Sequence, residues 1–119
     1  MKTNNKNSTR YYSSLQESKV AKLLNGNTVS NSGAGHFAKG DVVVNSADLL
    51  VECKTVTKEK TSFSIKKEWL DKNVEESFAT RKSNSCVAFS FDPDAKKVYF
   101  VIDEKLMCFL TEKLTESYE

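Results

Sequence analysis

The sequence predicts an α/β (α+β) domain, a central mixed β-sheet flanked by helices, and three observations lead there. Two β-rich runs, Asp41–Val44 and Leu49–Lys54, are separated by four turn formers, Asn45-Ser46-Ala47-Asp48, and read as a hairpin. Between residues 66 and 82, Leu70, Val74 and Phe78 recur every four positions with Trp69 beside them, the spacing of one helix face. Two more β-rich runs, 86–91 and 98–102, flank the turn signal Asp92-Pro93-Asp94. The element order α-β-β-β-α-β-β-α makes this an α/β or α+β domain with helices packed on a central mixed sheet.

The elements follow in chain order. A polar arm over residues 1–12 precedes one domain over residues 13–119. The first helix is expected to start at Ser13 or Ser14 and to stop at Asn25-Gly26, where Gly suits a C-terminal cap. A short strand at 28–30 leads into a loop of small residues, Ser32-Gly33-Ala34-Gly35-His36-Phe37-Ala38-Lys39-Gly40. After the hairpin, the second helix and the next strand pair, residues 104–114 read as a closing helix.

Length and composition narrow the function classes. The 119 residues, 39% hydrophobic and 29% charged with a single Pro, suit one globular core rather than a multi-domain or disordered chain. No aliphatic run is longer than the three residues of Val42-Val43-Val44 and the first ten residues hold no apolar stretch, so the chain reads as soluble and cytosolic, host cytoplasm included if a phage encodes it. Cys53, Cys86 and Cys108 stand far apart in apolar surroundings, which suits buried reduced thiols. With one histidine and no Cys-x-x-Cys, a structural zinc site lacks its paired spacing.

A net charge of +2 conceals an uneven distribution. Residues 1–40 carry +5 and residues 54–82 carry +3, whereas residues 41–53 and 83–119 carry −3 each. The acidic centre lies within that basic flank. If Val44 pairs with Leu49, Asp41 falls directly across from Glu52, and alternation puts Asp41, Val43, Leu50, Glu52 and Lys54 on one face of the hairpin. The other face, Val42, Val44, Leu49, Val51 and Cys53, is apolar and is expected in the core.

Two carboxylates about 5 Å apart repel by roughly 3 kcal/mol at an effective dielectric near 20, so they require a proton, a lysine or a cation. Lys54 supplies part of this, and a divalent ion with hard oxygen ligands, Mg²⁺ or Mn²⁺, supplies the rest. A plain surface cluster of Asp41, Glu52 and Lys54 is the competing reading. Glu17 falls on the stripe of Val20, Ala21 and Leu24 and points with it toward the sheet; alternatively, Ser14-x-x-Glu17 is a capping box. Ser32, His36 and Lys39 in the loop, and Lys66 and Lys67 at the head of the second helix, are candidate DNA contacts, against readings as connector and solubilising surface. Trp69 and Phe78 are expected to pack in the core.

Glu17 on a helix, Gly40-Asp41, and Glu52-Cys53-Lys54 eleven positions on together resemble the PD-(D/E)XK nuclease superfamily, with Gly40 standing where the superfamily motif has Pro. Within it the chain is similar to the small Holliday junction resolving enzymes of archaea and phages, in which a helix-borne Glu, a Ser-Gly loop, the Asp, the Glu-x-Lys strand and a helix come in this order. The resemblance implies a restriction-endonuclease-like core and a Mg²⁺-dependent endodeoxyribonuclease of DNA recombination acting as a homodimer on branched DNA. It implies Asp41, Glu52, Glu17 and the Cys53 backbone carbonyl as metal ligands, and Lys54 as the residue that orients or deprotonates the attacking water. Another substrate within the superfamily, restriction or repair, and a non-catalytic DNA-binding module with this fold are the alternatives.

Overall fold

A computed structural model of the chain describes residues 8–29 and 41–119. The expected arm before residue 8 and the small-residue loop with Ser32, His36, Lys39 and Gly40 lie outside the described residues. Among the described residues, three α-helices and five strands follow one another as α1 (Thr9–Leu24), β1 (Asn27–Thr28), β2 (Asp41–Val44), β3 (Leu49–Lys54), α2 (Lys67–Ala79), β4 (Asn84–Phe89), β5 (Tyr99–Val101) and α3 (Glu104–Ser117). The strands form one sheet in sequence order, antiparallel throughout except for the parallel β3–β4 pair bridged by α2. This is the mixed α/β sheet with flanking helices expected from the sequence.

Local chemistry sets the start and end of α1. Ser8 caps the helix by accepting a hydrogen bond from the Tyr11 N–H at 3.1 Å, and Asn25 ends it in the left-handed conformation at φ 58°. The helix therefore starts at Thr9, ahead of Ser13, and residues 9–12 belong to it rather than to a polar arm. Gly26 follows because a Cβ there would lie 2.8 Å from the Val43 carbonyl oxygen and 2.9 Å from Val44 Cγ2. The chain passes β2 at a distance that only glycine permits.

One sheet face and α1 make the main core. Val20 packs with Val42, Val44, Val51, Cys86 and Ala88, all buried, and Leu24, Leu49, Cys53, Val98 and Ile102 border them. Because side chains alternate along strands, Val43, Leu50, Glu52 and Lys54 project to the opposite face, where α2 lies against β3 and β4. The layers are thus α1, sheet, α2.

The orientation of α2 departs from its sequence pattern. Its buried residues are Asn73 and Ser77, while Val74 is half exposed and Phe78 is 86% exposed, so the stripe expected in the core faces outward at its C-terminal half. Small and polar side chains let the helix approach a sheet face that itself carries carboxylates and an ammonium. α3 is capped by Asp103, whose side chain accepts from the Leu106 N–H at 2.9 Å, and none of its residues is buried. Cys108 is accordingly exposed, against the expectation of three buried thiols; Cys86 is buried and Cys53 half-buried, and all three are free. No described helix is long and apolar enough to cross a membrane.

Candidate active site

The hairpin sets the geometry. β2 and β3 pair Asp41 with Glu52, Val42 with Val51, Val43 with Leu50 and Val44 with Leu49, the register the turn length predicts. Asn45–Ala47 form a 3₁₀ turn and Asp48 closes it at φ 52°. This register cannot slip by one residue without sending the valines of β2 into the carboxylate face. It places Asp41, only 1% exposed, opposite Glu52.

Lys54 completes the cluster. Its Nζ donates to a Glu52 carboxylate oxygen at 2.9 Å and stands 4.4 Å from the centre of the Trp69 ring. The indole face attracts the ammonium, and the ring belongs to an aromatic cluster with Phe63 (6.0 Å between ring centres) and Phe89, stacked on Phe63 at 4.6 Å. Lys66, the residue capping α2, stands 5.8 Å from the same indole ring and so brings a second positive charge to the rim. Lys67 turns away to pair with Asp71 at 2.9 Å on the exposed side of α2.

Glu17, on α1, lies close enough to the Cys53 thiol of β3 for its charge to act there. Ser14, within the helix rather than ahead of it, cannot act as its cap, so the capping-box reading of Glu17 does not hold. The Cys53 thiol records the company it keeps: burial raises its pKa well above the ordinary thiol range, and the negative charges of Glu17, Asp41 and Glu52 raise it further. The charges of three carboxylates, one each from α1, β2 and β3, therefore reach this thiol. Adjacent Gln16, 1% exposed, accepts a hydrogen bond from Thr55 Oγ1 at 2.7 Å and so ties α1 to the end of β3.

Among the described residues, no three His, Cys, Asp or Glu side chains form a ready-made metal-binding group. The donor chemistry nonetheless fits a hard divalent cation. Asp41 and Glu52 face each other across the hairpin with hard carboxylate oxygens, and the Cys53 thiol next to Glu52 in the strand is kept protonated. Lys54 is paired with Glu52 at 2.9 Å.

The structure sets Asp41 across from Glu52 and Lys54 on Glu52, as the sequence predicts, and shows Glu17 only through its charge on Cys53; the sequence reading missed Gln16, Thr55 and the role of Trp69. The tryptophan stands at the site as part of an aromatic cluster rather than in the core. Nothing in local spacing distinguishes Gln16 from the other polar residues of α1; its burial depends on where the helix meets the sheet. Comparison of the chain with protein-family models, curated proteins and solved structures finds no match.

Proposed function

We propose that this chain is a metal-dependent endodeoxyribonuclease that hydrolyses phosphodiester bonds in branched DNA, with the four-way junction as substrate and a homodimer as the acting species. The observation that carries the reading is the pairing of Asp41 with Glu52 beside Lys54, which is held between the Glu52 carboxylate and the Trp69 ring. Asp41, Glu52, Glu17 and the Cys53 backbone carbonyl would hold Mg²⁺, for which Mn²⁺ can substitute. When bound, the ion polarises a phosphoryl oxygen and lowers the pKa of bound water. The chain's own part is to gather these oxygens at one strand end and to set a lysine donor beside them.

Lys54 can donate to the attacking water or to a phosphate oxygen without leaving Glu52, since an ammonium carries three donors. Charge that grows on the phosphoryl oxygens in the transition state is met by this fixed cation in a partly dry site, where such interactions lower the barrier most. Lys66 at the rim is placed to contact the DNA backbone, and Ser32, His36, Lys39 and Lys67 are the further proposed contacts.

Cleavage of labelled four-way junction, linear duplex and single strands, each with and without Mg²⁺, tests the reading. Mg²⁺-dependent nicks in the junction are expected. Cleavage of duplex or single strands in preference to junction would leave the nuclease site and overturn the substrate; no cleavage of any DNA in Mg²⁺ or Mn²⁺ would overturn the activity.

A further inference from the structure

The last helix carries more apolar surface than the fold uses. Met107, Phe109, Leu110 and Leu114 are each about half exposed and Tyr118 is 84% exposed, all projecting from α3 or its C-terminal cap. At 100° per residue, Leu106, Met107, Leu110, Leu114 and Tyr118 fall within one arc of about 120°, whereas Glu104, Lys105, Glu112 and Glu116 occupy the opposite side. Beside the helix runs an open groove of about 750 Å³, walled by Leu106, Phe109 and Leu110 of α3 and by Leu49, Phe100 and Ile102 of the sheet. An isolated helix of this length is marginal in water, so a 14-residue helix with no buried residue needs a covering surface.

We propose that this face is where a second copy of the chain docks, α3 packing antiparallel against α3 across a twofold axis. Charge decides against the anionic occupants. Residues 103–119 carry five acids and two lysines, a net −3, which repels a DNA backbone and an anionic lipid surface alike. A second copy suits both features at once: each chain presents a projecting apolar helix and an adjoining apolar groove, and a twofold rotation fills both by one contact made twice. The exposed apolar surface on α3, its cap and Phe100 amounts to roughly 700 Å² per chain, close to the ~800 Å² per partner of a stable interface.

The acids at the rim make a distinctive signature. Added salt screens their mutual repulsion, so association through α3 tightens or holds with rising salt, opposite in sign to phosphate binding. This inference rests on the homodimer of the proposed function, whose surface it assigns; cleavage assays test the activity, whereas the measurements here read association, with junction DNA added only as a control. Sedimentation should give twice the 13.4 kDa chain mass for the wild type at micromolar concentration and the single-chain mass for Met107→Asp/Leu114→Asp, with the strand signal in circular dichroism unchanged. Hydrogen exchange of the unmodified chain provides the check that needs no variant: amides of α3 should slow as protein concentration rises, while those of β3 and β4 stay as they are. A wild type that stays monomeric, a double variant that stays dimeric, or α3 exchange independent of concentration would each overturn the proposal. So would α3 protection gained only when junction DNA is added.

Discussion

The Lys54 ammonium lies 4.4 Å from the centre of the Trp69 ring while donating to Glu52 at 2.9 Å. Two attractions of different kind thus fix a four-carbon side chain in one direction. Trp69 acts as a positioning residue: Trp69→Leu should lower kcat about tenfold, in keeping with a cation–π loss of ~1 kcal/mol and a looser amine, while leaving KM for junction within about twofold. Trp69→Phe, which keeps a ring face, should recover most of kcat. Equal losses in both variants would mark Trp69 as packing alone.

Substitutions at the hairpin bear on the chemical step. Asp41→Asn, Glu52→Gln and Lys54→Ala should each cost at least ~3 kcal/mol in single-turnover cleavage, about two orders of magnitude. The two carboxylate variants should bind junction at least as tightly as wild type, because each removes repulsion from phosphate. Cleavage by Asp41→Asn at the wild-type rate would sink the site assignment.

For Glu17 the expectation separates charge from structure. The residue is in the third turn of α1, clear of the Ser8 cap, and Gln has similar helix propensity. Glu17→Gln should therefore keep stability within about 1 kcal/mol while slowing cleavage more than tenfold. A urea titration alongside a rate measurement reads both, and full activity would remove Glu17 from the ligand set.

Thiol reactivity should single out one cysteine. The Cys86 thiol is pushed up to about 12 by burial, and Cys53 is held protonated by burial and by Glu17, Asp41 and Glu52. Cys108 is exposed on α3. Brief iodoacetamide treatment of the folded protein near pH 8, followed by peptide mass spectrometry, should find label at Cys108 first. Rapid labelling of Cys53 would contradict the carboxylate cluster around it.

Acid stability should depend on Asp48. Hydrogen bonds from Ser83, including its N–H to Asp48 Oδ2 at 2.9 Å, lower the Asp48 pKa from 3.8, and Lys82 lowers it further. A carboxylate depressed in the folded state stabilises fully above its unfolded pKa, and that contribution is lost as pH falls through the lower folded value. Asp48→Asn keeps a residue tolerant of the left-handed turn at φ 52° but removes the charge. Its urea midpoint should fall below wild type at neutral pH and converge on it as pH falls below the ordinary carboxylate range; a constant difference down to acid pH would assign the effect to the turn alone.

What the sequence by itself determined is the part governed by short-range rules. Alternation and a four-residue turn were enough to place Asp41 opposite Glu52 with Lys54 on the same face, because side-chain direction along a strand repeats every two residues and the turn length sets the register. The order of elements and the mixed sheet were legible for the same reason. The helix faces were not. α2 buries Asn73 and Ser77 and turns Phe78 outward, although its apolar spacing points the other way, because the surface it meets is the carboxylate face of β3 and the adjoining part of β4. The start of α1 at Thr9 depended on Ser8, one of several serines that could cap a helix. Only the tertiary structure could bring Trp69 under Lys54, tie Gln16 to Thr55 across 39 positions, and leave α3 with its apolar stripe uncovered, since each depends on which surfaces meet after the strands have paired.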